Sequence, residues 1–170
     1  MRHIISILMQ NEAGALARVA GMFSARGYNI ESLSVAPTHD STVSRLTLVT
    51  LGSEAVIDQI IKQTRKLIDV VEIVDLSSTD HIECELVMIK IDMAQRDPKL
   101  AIDCVRRHRA TVLDGTDNTR ILQLAGTGAE IDAFIAELSG IGNVLELERS
   151  GVAAMSIGRT ILSIPQSISQ

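Results

Sequence analysis

The loop that follows the first apolar run carries residue types expected of a ligand-binding turn. It reads Gln10-Asn11-Glu12-Ala13-Gly14 and leads into a helical pattern. A helix start exposes N–H groups and a partial positive charge, which suit a carboxylate, and Gly14 has no Cβ to keep a ligand away. Asn11 and Asn29 add amides that donate and accept hydrogen bonds. The pattern is compatible with a small zwitterion, but composition alone favours the simpler explanation of an N-cap at Asn11 and a turn glycine at Gly14.

The other residues capable of chemistry form no catalytic or metal-binding pattern. The histidines lie in separate elements without ligand spacing, at His3, His39, His81 and His108. His108 falls on an apolar helical stripe, which favours a core or boundary position. Cys84 is predicted on the inward face of a strand and Cys104 on the same helical stripe, so both are interpreted as buried thiols. Gly126–Gly128 follows a strand as a dinucleotide loop would, but Ile131 replaces its third glycine, which favours a capped turn. We expect no catalytic residue and no metal site.

Composition restricts the class of protein. The 170 residues are 46% hydrophobic but only 2% aromatic, and the net charge is −5. Few aromatic side chains and the absence of a basic segment argue against binding to nucleic acid. No apolar run reaches the length of about 18 residues that a membrane span needs, and the N-terminus does not resemble a signal peptide. With two cysteines and no CxxC, we expect a cytoplasmic protein that has neither nucleic acid nor membrane as a partner.

An internal repeat indicates the fold. TLVTLGSEAVIDQII at 47–61 recurs as ILQLAGTGAEIDAFI at 121–135, and VVEIVDL at 70–76 aligns in the same register with VLELERS at 144–150. In the first copy, apolar periodicity predicts strands at 3–9, 29–36, 43–50 and 70–76 and helices at 15–26 and from about 54 to 66, the second capped by Ser53. The second copy has predicted helices near 98–109 and 128–139. The order βαββαβ predicts an α+β protein with two consecutive ferredoxin-like domains.

The repeat also sets the domain boundaries. We place the first domain at 1–76, a polar linker at 77–82, the second domain at 83–158 and a tail at 159–170. Both faces of the first strand are apolar, whereas helices cover only one face of such a sheet. The bare face or the strand edges are expected to pair with another sheet, which predicts a homodimer.

The motifs resemble a known family. NEAGALARV and the following GYNIESL are similar to an ACT domain, a βαββαβ module that senses small molecules. The chain is more similar still to the small regulatory subunit of acetohydroxyacid synthase (acetolactate synthase), through FSARGYNIESLSVAPT, SRLTLVT, QLAGT and RSGVAAMSIG. The resemblance covers residues 1–158.

The resemblance implies a non-catalytic regulatory subunit of branched-chain amino-acid biosynthesis. It would activate a large catalytic subunit, which carries thiamine diphosphate, Mg²⁺ and FAD, and would confer allosteric feedback inhibition by valine or a related amino acid. Effector binding would take place between paired ACT domains, at Asn11, Glu12, Ala13, Gly14, Ala15 and Leu16 of one subunit and Asn29 and Ile30 of its neighbour. The alternative is an amino-acid-responsive transcriptional or other allosteric regulator.

Overall fold

The computed structural model describes residues 1–93 and 98–164, which form two compact units. The first unit comprises Met1–Ile82 together with the segment that begins at Val152, and the second comprises Glu83–Gly151. Along the chain the elements are β1 (Arg2–Gln10), α1 (Ala15–Ala25), β2 (Ser32–Pro37), β3 (Val43–Leu51), α2 (Glu54–Thr64), β4 (Val70–Asp75), β5 (His81–Asp92), α3 (Pro98–His108), β6 (Thr111–Asp114), β7 (Thr119–Gly126), α4 (Gly128–Ile141), β8 (Asn143–Arg149) and β9 (Ala153–Ser156). The tail predicted at 159–170 falls partly outside the described residues.

The first unit has the predicted βαββαβ order. Its four strands lie antiparallel in the order β2-β3-β1-β4, and β1 pairs with β3 from Arg2 opposite Leu51 to Gln10 opposite Val43. Helix α1 ends where expected, because Gly27 adopts a φ of 70°, a left-handed conformation that favours glycine after a helix. Strand β2 begins at Ser32, three residues later than predicted.

One face of the first sheet forms the main core with the two helices. Alternate residues of β1 and β3 point to this face, and the helices add their apolar stripes. The fully or nearly buried members are Ile5, Ile7, Met9, Ala15, Val19, Met22, Phe23, Leu46, Leu48, Ile57, Ile60 and Ile73. The low aromatic content is therefore matched by an aliphatic core, in which Phe23 is the largest buried side chain.

The chain itself covers part of the opposite face of this sheet. Ile4 and Val49 pack there with Val152 and Ala154, which arrive from the far end of the chain. Arg45 donates one hydrogen bond to Ser6 Oγ at 2.9 Å and another to the Ala154 carbonyl at 2.8 Å. The sequence predicted a bare face, and residues far along the chain were not expected to contribute to it.

The second unit repeats the arrangement, with strands in the order β6-β7-β5-β8. These two antiparallel sheets confirm the α+β, ferredoxin-like fold. The capped turn at the start of α4 is also confirmed: Thr127 Oγ1 accepts from Glu130 N at 3.3 Å, while Thr127 N donates to Glu130 Oε2 at 2.7 Å. The Glu130 carboxylate thus occupies the helix N-terminus that a dinucleotide phosphate would need.

The predicted orientation of Cys84 is wrong. Val87, Ile89 and Ile91 are the residues of β5 that face the helices, so Cys84 lies on the other face and is exposed. The inward position next to it is taken by Glu85, whose side chain is only 4% exposed. Arg149 of the neighbouring strand donates to both carboxylate oxygens of Glu85, at 3.0 and 2.6 Å. The Glu85 carboxylate can be buried in the strand because the Arg149 guanidinium neutralises its charge.

Candidate functional site

The loop between β1 and α1 is anchored to the β2–β3 hairpin through Asn11. Its backbone N–H donates to the Thr42 carbonyl at 2.7 Å, and its side-chain amide donates to the Ser41 carbonyl at 2.9 Å. Its Oδ1 accepts a hydrogen bond from Ser44 Oγ at 3.0 Å. Asn11 is therefore not the N-cap of the helix, as one interpretation of the sequence held; it holds the loop in position.

Gly14 is the N-cap residue, immediately before helix α1. It has a φ of 90°, no side chain caps the helix, and the first turn contains no acidic residue. The N–H groups of this turn are the ones that an α-helix cannot satisfy internally. The N–H of Ala15 donates to the Glu12 carbonyl at 3.2 Å, and the Arg18 guanidinium lies beside Gly14. The rest of the helix start offers backbone donors and a partial positive charge to an anion.

Arg18 adds a cation at the same place, and the sequence interpretation missed it. A Cβ built on Gly14 would lie 2.9 Å from Arg18 Nη1, so the guanidinium lies directly beside the loop. Arg18 donates through Nε and, at 2.7 Å, through Nη2 to the carboxylate of Asp69. These hydrogen bonds lower the pKa of Asp69 and raise that of Arg18. The signal was present in the sequence, since Arg18 follows Gly14 by one helical turn.

The other predicted polar group, Asn29, lies at the opposite end of the sheet. Its carbonyl accepts from Thr50 Oγ1 at 2.6 Å, and its side-chain amide donates to Glu31. The side chain is exposed. Asn11, in contrast, contacts Ser44, which precedes Thr50 by six residues on the same strand, β3. At about 3.3 Å per strand residue, the two ends are roughly 20 Å apart. One chain therefore does not bring Asn11 and Asn29 together around a small molecule.

The remaining predicted site residues differ in exposure. Glu12 and Ala13 are exposed in the loop, and Leu16 is 37% exposed on the helix. Ala15 is only 1% exposed and belongs to the core, so its side chain faces away from solvent. Ile30 is partly buried against the same core.

A second group of chemically capable side chains lies in the second unit, where the sequence predicted no site. Cys104, His108 and Glu137 approach one another with their donor atoms within 4.8 Å. Cys104 is buried, as predicted, and burial together with the nearby Glu137 raises the pKa of its thiol to about 12. His108 is at the predicted boundary, 17% exposed, and its Nε2 lies 2.8 Å from Glu137 Oε2. The hydrogen bond with His108 lowers the pKa of Glu137.

Among the described residues, no helix is long and apolar enough to cross a membrane.

Comparison with known proteins agrees with the repeated architecture. The family model of the AHAS small subunit-like ACT domain matches residues 5–72, and that of the small subunit of acetolactate synthase matches residues 84–158. The acetolactate synthase isozyme 3 small subunit of Escherichia coli is 44% identical over 166 residues, covering 95% of this chain and 99% of the relative. The acetolactate synthase small subunit of Haemophilus influenzae is 43% identical over 162 residues, covering 93% and 97%.

A solved structure gives the same result. The crystal structure of the acetolactate synthase small subunit from Thermotoga maritima matches with a TM-score of 0.85 at 29% identity, covering 94% of this chain and 99% of that one. These similarities do not favour a transcriptional regulator. The chain belongs to the family of acetolactate synthase small subunits, the regulatory subunits of that enzyme.

Proposed function

We propose that this chain is a feedback sensor that binds valine, or another branched-chain amino acid, between the first units of two copies. The observation that carries the proposal is the placement of the two predicted binding groups. The Asn11–Gly14 loop and Asn29 lie at opposite ends of one sheet, roughly 20 Å apart at about 3.3 Å per strand residue. A second copy is needed for both to contact one amino acid.

The chemistry of the loop suits an amino-acid carboxylate. The uncapped start of α1 supplies N–H donors and the positive end of the helix dipole, and Arg18 adds a guanidinium beside Gly14. Asp69 already accepts hydrogen bonds from two nitrogens of that guanidinium. Arg18 therefore contributes to the electrostatic potential at the site and is not assigned a bidentate hydrogen bond to the ligand. Ala13 and Leu16 provide apolar surface for the aliphatic side chain.

The neighbouring copy would supply Asn29 and Ile30. An amide oxygen accepts from an ammonium group and an amide N–H donates to a carboxylate, so Asn29 can orient a zwitterion at either end. Strand β2, which follows these residues, is the edge strand of the first sheet and pairs only with β3 among the described strands. An edge strand offers unpaired N–H and C=O groups to a second copy. This supports a homodimer through the first units.

Effector binding to this chain is proposed to change the activity of a separate catalytic subunit. We infer that this chain binds the large subunit of acetolactate synthase, raises its activity and makes it sensitive to the effector, in the cytoplasm. Thiamine diphosphate, Mg²⁺ and FAD would belong to the catalytic subunit. A ligand held between two copies alters how their sheets dock, which provides the two-state element that allosteric coupling requires.

The test is a calorimetric titration of the purified protein with valine, leucine and isoleucine, together with its sedimentation mass. We expect a dimer that binds about one ligand per chain, as the twofold symmetry of a homodimer requires. Gly14→Asp should abolish binding, because its carboxylate would occupy the position of the ligand's carboxylate.

Gly14→Ala is the matched control. It introduces the same unfavourable φ and the same Cβ beside Arg18, but no charge. It should retain binding, whereas equal loss in both variants would show that strain, and not charge, is responsible. The titration is repeated on the complex with the catalytic subunit; a folded dimer that binds none of the three amino acids in either form would refute the sensor function.

A further inference from the structure

Helices α3 and α4 bring a thiol, an imidazole and a carboxylate to one point in the second unit. Cys104 and His108 are four residues apart, which places them on the same face of α3. Glu137 reaches them from α4, and the donor atoms of all three lie within 4.8 Å of one another. The geometry points to a binding site for one Zn²⁺ ion, with Cys104 Sγ, His108 Nε2 and a Glu137 carboxylate oxygen as its ligands.

The three donors suit zinc better than other common divalent cations. Thiolate sulfur, imidazole nitrogen and carboxylate oxygen are its usual ligands, with metal–ligand distances of about 2.0–2.3 Å. Magnesium and calcium prefer oxygen ligands alone, so the buried sulfur argues against them. One thiolate and one carboxylate also balance the two charges of the ion.

The spacing of the donors requires only side-chain movement. In a tetrahedral site, neighbouring donor atoms are about 3.5 Å apart, given ligand distances near 2.1 Å. The gap of 2.8 Å between His108 Nε2 and Glu137 Oε2 must widen slightly, and no gap among the three atoms, all within 4.8 Å of one another, has to close by more than a little over 1 Å. Changes of this size are within the reach of χ rotations in Glu137 and Cys104.

Burial gives the site a closed side and an open side. Cys104 is fully buried, whereas the side chains of His108 and Glu137 are 17% and 27% exposed. Solvent can therefore supply a fourth ligand from the outer side. The ring of Phe134 packs against His108, with ring centroids 5.2 Å apart, and restricts the imidazole orientation. A ligand held in one orientation before the ion arrives loses less conformational freedom on binding.

Metal binding would replace an existing hydrogen-bond network. Glu137 is bound by His108, pairs with the guanidinium of Arg107, and lies within 4.8 Å of the Cys104 sulfur. On zinc binding, the Cys104 thiol would release its proton to solvent, and a neutral His108 would carry its one ring proton on Nδ1 so that Nε2 can bind the ion. Arg107 is 64% exposed and can turn to solvent, which moves its positive charge away from the ion.

The experiment is a titration of the tag-free, reduced, full-length chain with Co²⁺ and then Zn²⁺. Cobalt is the probe because a thiolate ligand produces a charge-transfer absorption and a tetrahedral site intensifies its d–d bands. We expect both signals, saturating at one ion per chain and reversed by Zn²⁺. Zinc affinity is measured by competition with a chromophoric chelator.

Four variants locate the site. Cys104→Ser, His108→Gln and Glu137→Gln each retain a hydrogen-bonding group while removing a good ligand, and each should lower zinc affinity at least about tenfold. Cys104→Ser should also abolish the charge-transfer band. Cys84→Ser is the matched control, since Cys84 is exposed and lies outside the cluster, and it should bind as the wild type does.

Two results would overturn the proposal. One is a wild-type chain that shows no thiolate-to-cobalt band, and the other is a Cys104→Ser chain that retains both band and affinity. If Cys104→Ser fails to fold, X-ray absorption of the zinc-loaded wild type decides: one sulfur at about 2.3 Å supports the site, and a shell without sulfur refutes it.

Discussion

Whether the effector site is built in trans can be tested by mixing two inactive variants. Gly14→Asp removes the loop half of a site, and Asn29→Ala removes the amide half. The loss of a buried polar partner by Asn29→Ala should weaken binding by about 1–3 kcal/mol, roughly 5- to 150-fold. Gly14→Asp alone should bind no effector, and Asn29→Ala alone should bind clearly less than the wild type at an effector concentration near the wild-type Kd.

The structure predicts that the mixed dimer regains binding. Asn11 is fixed to Ser44 and Asn29 to Thr50, which places them about 20 Å apart at about 3.3 Å per strand residue. In a dimer of one Gly14→Asp chain and one Asn29→Ala chain, one of the two sites has an intact loop and an intact Asn29, and the other lacks both. Co-expressed, doubly tagged mixed dimers should therefore bind about half the wild-type amount, by isologous symmetry.

A reciprocal mixture makes the result decisive. When one chain carries both substitutions and the other is wild type, each trans site contains one defect and binding should be lost. A site formed within one chain gives the opposite pattern: no binding in the first mixture and half in the second. Equilibrium dialysis of the two purified mixed dimers measures this directly, and the opposite pattern would refute the placement of Asn29 across the interface.

Three further predictions concern the stability and accessibility of particular residues. Arg149→Ala leaves the Glu85 carboxylate buried without its partner and should lower the free energy of unfolding by about 3 kcal/mol. This is the lower end of the range for a broken buried pair, because Arg149 is partly exposed. A change below about 1 kcal/mol in urea denaturation would contradict this. A thiol reagent should label Cys84 rapidly in the folded protein and Cys104 only after unfolding, as peptide mapping can show. Equal labelling rates would contradict the difference in exposure between the two cysteines. Because the pKa of Asp69 is lowered in the folded state, its contribution to stability is present above its ordinary pKa and is lost as the pH falls through the folded pKa. The Tm of Asp69→Asn should therefore fall less than that of the wild type when the pH is lowered below about 4, and parallel curves would exclude this contribution.

Local patterns were sufficient to predict most elements of the fold, although β9 was not predicted. Apolar periodicity and the glycine after α1 predicted the helices and strands of the first unit, and the repeat extended the prediction to the second. These signals lie within a few residues of each other along the chain, which is why a sequence shows them. The helix start at Gly14 was recognisable for the same reason.

Features that depend on distant partners were not predicted. Glu85 is buried because Arg149, 64 residues away, neutralises it, and the face of β5 was misassigned as a result. One interpretation of the sequence made Asn11 an N-cap, because its partners Ser41 and Ser44 belong to the distant β2–β3 hairpin. The grouping of Cys104 and His108 with Glu137 requires the packing of α3 on α4, which no local pattern contains.

The return of the chain to its first unit after Gly151 makes the second unit an insertion within the first. The ends of this insertion are held together by its own sheet, in which Val87 pairs with Arg149. If the second unit unfolded alone, Val152 and Ala154 would have to close a flexible loop of roughly 70 residues, at an entropic cost of about 4 kcal/mol. That cost would weaken their contact with Ile4 on β1, the strand that leads into Asn11. Chain connectivity alone thus links the stability of the second unit to the strand that leads into the proposed effector-binding loop.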